Sequence, residues 1–386
     1  MDRGPMNPIA HLYLHVPFCR QRCPYCDFAV STEVPARLGP WQTTILGELA
    51  GLGGPEILAD PLETLLVGGG TPSVLGPALT RGIRTALGEA PLREIGEWTV
   101  ETNPEDLTPE LLHGWRREGV TRLNVGIQST NSEALRWLGR AHTPEGGREA
   151  AHRVAATGFD SWGVDLLYGL PPSVDPNPEI SVEWAIRWEA PHISVYELIA
   201  EPETLLGERV AAGLEDPANE DQRADQYLRI TALLEGAGYQ AYEMNAFARP
   251  SHASRHARAV LEQQPFLGLG PGAHSWIDGR ERVNLRGWRE YVRHLPTGPI
   301  PESFVEKATE SSARLVRWAS RLRLREGLAY AELPAAAIAV GRRWDRAGWA
   351  VADVERLRLT PEGWLRLDAL VLELDDAVSL GPMEGA

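Results

Sequence analysis

The chain has 386 residues, enough for a substantial core and for two or three domains, although barrels commonly reach this size as one unit. Its 43% hydrophobic and 24% charged residues suit a soluble globular protein, no run approaches the roughly 20 apolar residues of a membrane span, and residues 1–10 lack a secretory pattern, so a cytosolic protein is expected. A formal net charge of −15 opposes nonspecific attraction to phosphates, so nucleic acid is not an expected partner.

In chain order, β-rich runs at 11–16, 64–68, 97–101, 122–127, 161–167 and 192–198 alternate with helical patterns at 39–52, 78–87, 109–118, 132–138 and 143–157. Alternation of this kind marks βαβ units and a parallel sheet. Six units predict an α/β fold, an incomplete (β/α)6 TIM-like barrel. Barrels bind ligands at the C-terminal ends of their strands, and the distinctive residues fall there. The cysteine loop follows the first strand, Gly68-Gly69-Gly70-Thr71-Pro72 ends the second, Glu101-Thr102-Asn103-Pro104 the third, Gln128 the fourth, and Asp165 lies near the end of the fifth.

All three cysteines, Cys19, Cys23 and Cys26, lie in this first loop. A cubane [4Fe-4S] cluster ordinarily takes four thiolates, so three would leave one iron open for chemistry. A zinc site of three Cys and one His, using His15 or His11, remains open on spacing alone. A disulfide framework fits less well with an odd thiol count in a long chain. The glycine turn would let backbone groups approach a ligand, or serve as a tight turn alone; it lacks the Lys of a P-loop. Glu101 could accept hydrogen bonds from a ribose or an ammonium group, or cap the next segment. Arg140 could pair with a cofactor carboxylate, or lie on a helix surface. His252, His256 and His274 are candidate metal or haem ligands, with a surface pair as the alternative for the first two.

Beyond the barrel, 220–236 reads as a helix and 239–242 as a further strand. The expected domains are 1–245, the barrel; 246–300, a Gly, Pro and His-rich loop and linker; and 301–386, a smaller helical, winged-helix-like unit. Residues 375–386 are expected to fray. Arg314, Arg317, Arg321, Arg323 and Arg325, then Arg342, Arg343 and Arg346, form two basic segments read as solvated helix faces.

The spacing Cys-x3-Cys-x2-Cys, with Tyr25 before the last Cys, resembles the radical S-adenosylmethionine (SAM) superfamily, in which the open iron chelates S-adenosylmethionine. The runs Leu12 to Cys19, Gly68 to Pro72, Val164 to Pro171 and Gly268 to His274 are similar to the oxygen-independent coproporphyrinogen III oxidase family, over roughly residues 10–370. The resemblance implies that Tyr13, Tyr25, Gly69, Gly70, Thr71, Glu101, Gln128, Arg140, Asp165 and Ile199 contact S-adenosylmethionine, while Cys19, Cys23 and Cys26 hold the cluster. Coproporphyrinogen dehydrogenases carry a longer segment before the cluster and a fourth Cys two residues after the third, where this chain has Phe28. Both departures resemble the haem-chaperone branch, HemW, whose members bind haem and pass it to acceptor proteins such as respiratory enzymes. That branch implies haem or porphyrin, a haem-accepting protein and an electron donor such as flavodoxin or ferredoxin as partners. Its His-Asn-x-x-Tyr-Trp pattern retains only the histidine here, His256, the possible haem ligand. Coproporphyrinogen oxidase activity and a zinc-stabilised interaction module are the alternative functions.

Overall fold

The computed structural model describes residues 7–33, 38–294, 302–307 and 309–379. Six parallel strands open the chain: β1 (His11–Val16), β2 (Thr64–Gly69), β3 (Glu97–Thr102), β4 (Arg122–Gln128), β5 (Ser161–Tyr168) and β6 (His192–Glu197). They pair in sequence order, with partners such as Leu12–Leu65, Val67–Val100, Leu123–Trp162 and Val164–Ile193. Helix starts between them are set locally. Thr108 and Thr143 each accept a backbone N–H three residues on, with Pro at the first helical position, and Asn219 forms a reciprocal capping box with Gln222.

Alternation along the strands decides what each face does. Leu12, Leu14 and Val16, Leu65 and Val67, and Leu123, Val125 and Ile127 are buried in one apolar core with the covering helices. Burial of each such side chain stabilises the fold by about 1.5–3 kcal/mol. The intervening positions share the opposite face, which lines the barrel lumen: His11, Tyr13 and His15; Thr64 and Gly68; Glu97, Thr99 and Glu101; Arg122, Asn124 and Gly126; Gly163 and Asp165; His192, Ser194 and Tyr196. Leu66, paired with Tyr13, interrupts a lumen that is otherwise mostly polar from floor to mouth.

The sheet extends beyond the six expected strands. Their neighbours are β7 (Gln240–Glu243), β8 (Ala246–Ala248), β9 (Phe266–Leu269), β10 (His274–Ile277), β11 (Arg280–Asn284) and β12 (Glu302–Lys307), in the order β12-β11-β10-β9-β1-β2-β3-β4-β5-β6-β8-β7. Strand β9 pairs parallel to β1 and is a seventh parallel strand, while β10 to β12 continue antiparallel. Residues 246–300, expected as loop and linker, instead carry β8 to β11 and the helices Arg255–Leu261 and Trp288–His294, with 295–300 outside the described residues. Their strands are three to five residues long, too short to establish a period. The buried carboxylate of Glu48, on helix Leu38–Leu52, ties this extension to the barrel. It binds Arg282 and Tyr291 and accepts from Asn284 Nδ2 (2.7 Å) and the Gly270 N–H (2.9 Å).

The C-terminal region has the expected winged-helix-like order. Helix Glu310–Arg323, β13 (Leu328–Ala329), helix Ala335–Arg346, β14 (Ala350–Ala352) and β15 (Arg356–Leu359) precede helix Leu367–Ser379, and the three strands form a small antiparallel sheet. Asp353 turns the β14–β15 hairpin by accepting the N–H groups of Glu355 (2.8 Å) and Arg356 (2.7 Å). Several arginines of the basic segments meet carboxylates, Arg314 with Asp375, Arg323 with Glu243 and Arg343 with Glu373. Residues 375–379, expected to fray, complete the last helix; 380–386 lie outside the described residues.

Candidate cofactor site at the barrel mouth

The chain leaves β1 at Val16 and forms the cysteine loop over the mouth. Cys19 N–H donates to Ser31 O (3.1 Å) and Ser31 N–H to Pro17 O (2.7 Å), which fastens the two ends of the loop together. Leu206 N–H donates to Pro24 O (2.8 Å), which holds the tip to the segment after β6. Gly139, at φ 66°, lies against Pro24, and a Cβ there would stand 2.9 Å from Pro24 Cδ, so a side chain at 139 would displace the loop. Tyr25 packs against the cluster containing Leu138, Leu167 and Leu198.

His15 supports the loop from below. Its Nε2 lies 2.9 Å from Ala29 O, which can only accept, so Nε2 carries the proton and Nδ1 accepts from Tyr13 OH at 3.0 Å. Burial lowers the imidazole to about 4 and keeps it neutral. Both ring nitrogens are thus committed away from the cysteines. His11 sits at the opposite end of β1, bonded to Thr64 Oγ1 (3.0 Å) and Gln264 Oε1 (2.7 Å). Neither histidine can complete a zinc site with the three thiols, which corrects that reading.

The glycine turn after β2 lies directly under the loop. Gly70 and Thr71 N–H groups donate to Val16 O and Phe18 O, each at 2.8 Å, and a Cβ on Gly70 would come within 3.0 Å of Cys19 Sγ. Gly69 N–H donates to Glu101 Oε2 (3.1 Å). A polar chain then crosses the mouth. Thr71 Oγ1 donates to Cys19 Sγ (3.4 Å), Asn103 Nδ2 to Thr71 Oγ1 (3.4 Å), and Arg140 Nη2 to Asn103 Oδ1 (2.7 Å) and Gly126 O (2.8 Å), while Arg140 Nη1 reaches Cys23 Sγ at 3.9 Å. Asn103 thus links two cysteines through their neighbours, although its sequence signal was only a place in a strand-end motif. Gln128 adopts φ 66° where the β4–β5 register shifts, so a bulge re-aims the end of β4 at the mouth.

Electrostatics favour a ligand here. Burial, reinforced by the charge of Asp165, pushes the Glu101 carboxyl up to about 7, and burial raises Asp165 to about 6 against its hydrogen bond from Ser194. Burial also pushes the Cys19 thiol up to about 11 and raises Cys26, so metal binding there must release protons. Thr99 Oγ1, Asn124 Oδ1, Asp165 Oδ1 and Arg140 Nε are buried without a hydrogen-bond partner among the described residues. Buried polar atoms are normally paired. Three thiols over a glycine cradle, a guanidinium and unpaired lumen acceptors fit a thiolate-bound cluster with a polar, zwitterionic ligand beneath it.

The structure therefore brings together Tyr13, Tyr25, Gly69, Gly70, Thr71, Glu101, Gln128, Arg140 and Asp165 around the lumen mouth, and Ile199 stands exposed just beyond β6. His256 is the exception. It is 4% exposed at the floor, its Nδ1 bonded to Thr64 Oγ1 (2.8 Å) and its N–H to Glu97 Oε1 (3.1 Å), and burial lowers it to about 3. It is built into the base of the barrel, at the opposite end from the cysteine loop. His252, beside it, bonds Ser161 Oγ at 3.0 Å.

Residues 13–185 match the model of the Radical SAM superfamily, which implies a [4Fe-4S] cluster and S-adenosylmethionine. The chain is 34% identical over 378 residues to a heme chaperone HemW of Mycobacterium tuberculosis (strain H37Rv), covering 94% of each. It is 36% identical over 287 residues to heme chaperone HemW of Escherichia coli (strain K12), covering 71% of this chain and 72% of the other. Among solved structures, coproporphyrinogen III oxidase (HemN) from Escherichia coli superposes with a TM-score of 0.80 at 21% identity over 97% of this chain and 91% of that one, a likeness of fold. With the cysteine loop, the glycine cradle and near full-length similarity in agreement, the chain belongs to the HemW family of radical SAM proteins.

Proposed function

We propose that this protein binds haem and delivers it to acceptor proteins, using a [4Fe-4S] cluster on Cys19, Cys23 and Cys26 together with S-adenosylmethionine. The observation that carries this reading is similarity over 94% of the chain to a protein named as a heme chaperone, combined with Phe28 at the place where coproporphyrinogen dehydrogenases carry a fourth Cys. When bound, the cluster supplies one-electron chemistry at the sulfonium of S-adenosylmethionine. The chain's own residues do the holding. Gly69 to Thr71 present backbone groups to the amino group, Arg140 meets the carboxylate, Glu101 accepts from ribose or ammonium, and Asp165 keeps an acceptor in the lumen. The domain division follows: residues 1–245 as the radical SAM unit, the segment to 300 as its sheet extension, and the remainder as a winged-helix-like unit facing a partner.

Anaerobically reconstituted full chain, titrated with haem, is expected to give a Soret shift and then to transfer haem to a spectroscopically distinct apoprotein such as apomyoglobin. No shift in any cluster state overturns the proposal. Formation of protoporphyrinogen from coproporphyrinogen with an electron acceptor overturns it in favour of the oxidase reading.

A further inference from the structure

A cavity of about 420 Å³ lies where the C-terminal helix Glu310–Arg323 crosses the sheet extension. That volume falls within the roughly 300–1,000 Å³ of small-molecule sites. It is separate from the cysteine loop. Phe266 pairs with His11 and Trp276 with Phe266, so the cavity lies at the floor end, on the side of the sheet that continues the lumen past β1. Phe266 and Trp276 from the sheet and Val260 and Val316 from two helices supply its apolar lining, with Gln263, Ser275, Ser312 and Ser320 completing it. Nothing in the barrel-mouth chemistry uses these residues.

Two features give the cavity a chemical identity. At its edge, exposed His274 places Nδ1 3.2 Å from Glu281 Oε1 across the β10–β11 hairpin. A carboxylate only accepts, so Nδ1 carries the proton and the Nε2 lone pair is left free, the arrangement that orients metal-ligating imidazoles. Beside Val316 and Ser320 on the covering helix stand Arg317 and Arg321, for which no ion pair or side-chain hydrogen bond is found among the described residues, whereas Arg314 and Arg323 on the same helix meet Asp375 and Glu243. In a chain of net charge −15, two guanidiniums with no ion pair among the described residues, each one position past a cavity-lining residue of the same helix, are a local attraction for an anion. A ligand matching all of this is flat and apolar, offers a Lewis-acidic metal to one imidazole, and ends in acidic groups.

We infer that this cavity is the haem site, with His274 Nε2 as an axial ligand to the iron, Glu281 holding the imidazole, Phe266 and Trp276 against the porphyrin plane, and Arg317 and Arg321 meeting the propionates. This rests on the haem-binding reading above and moves the ligand from His256 to His274.

The test is a titration of the full chain with ferric haem, read by Soret position and by the electron paramagnetic resonance signature of histidine ligation. Wild type is expected to show both. His274→Ala should lose the histidine signature and weaken binding at least tenfold, with the signature restored by added imidazole, while His256→Ala keeps it in the folded fraction. Arg317→Glu with Arg321→Glu should weaken haem several-fold and leave haem dimethyl ester, which lacks the acidic groups, unchanged. Far-UV circular dichroism and thermal unfolding check that the surface variants remain folded. If wild type binds and His274→Ala retains the signature and affinity, the site is wrong and the haem-binding function stands. If wild type itself gives no Soret change, the function fails and the site with it.

Discussion

At the floor of the barrel, His11, Thr64, Glu97, Arg122, Ser161 and His192 occupy the first positions of six strands, and their side chains bond mostly to one another and to the segment after β8, with Arg122 Nε and Nη2 and His192 Nδ1 left without a partner among the described residues. Thr64 Oγ1 joins His11 and His256, Glu97 accepts N–H groups from Arg255 (3.2 Å) and His256 (3.1 Å), Arg122 Nη1 donates to Ser161 Oγ (3.1 Å) and His252 O (2.8 Å), and His192 Nε2 meets Tyr242 OH (2.9 Å). At the mouth, Glu101, Asp165, Asn103 and Arg140 are the same kinds of residue, but they lie beside three free thiols, the Glu101 and Asp165 carboxyls are pushed up by burial, and Asp165 Oδ1 and Arg140 Nε have no partner among the described residues. Polar atoms bonded to one another hold a barrel shut. Thiols, raised carboxyls and a guanidinium gathered above them mark where a ligand completes the set.

Four measurements break or sharpen this contrast. The largest effect belongs to Cys23→Ser at the mouth, which should reduce reconstituted iron from about four per chain to near zero while leaving circular dichroism and the unfolding midpoint of the metal-free protein unchanged. Arg122→Ala at the floor should do the reverse. It strands the buried Glu97 carboxylate, 4.0 Å away, and should cost about 3–5 kcal/mol in denaturant unfolding, with iron uptake per folded molecule retained.

Glu101→Gln tests the charge of the mouth. Because the folded protein holds this carboxyl near 7, above its ordinary 4.5, ionisation penalises the folded state as pH rises from about 4.5 through 7. Metal-free Glu101→Gln should therefore match wild type below pH 4.5 and exceed its stability by about 3 kcal/mol at pH 8. Equal stabilities at pH 8 would reject that assignment. The smallest effect is Asn103→Ala, which removes one of Arg140's two oxygen partners and should weaken S-adenosylmethionine binding to reconstituted protein about tenfold, 1.4 kcal/mol, with cluster content unchanged by iron analysis.

The barrel strands were legible because most of them alternate apolar and polar positions over six to eight residues between helical patterns, and the βα rhythm brought Cys19, Gly70, Glu101 and Asp165 to one end. Short strands without a period were not. Nothing in Phe266-Leu267-Gly268-Leu269 announces a partner 255 residues earlier in the chain, since His11 and Phe266 meet only through tertiary pairing. The surroundings of the histidines were hidden for a related reason. His252 and His256 share a spacing suited to ligation, but hydrogen bonds to Ser161 and Thr64 tie them to the floor, whereas His274 meets Glu281 across a hairpin that the sequence did not reveal.

The parallel pairing of β9 with β1 also decides whether the cysteine-bearing half can exist alone. Any truncation before residue 266 would turn β1 from an interior strand into a bare rim with one row of amide and carbonyl groups unsatisfied, and would deprive Glu48 of Arg282 and Asn284. Such a rim templates aggregation between chains. The strand that launches the iron-binding loop is thus insured by residues more than 250 positions downstream, so the cluster-bearing segment and the region beyond it must be synthesised, folded and inherited as one object.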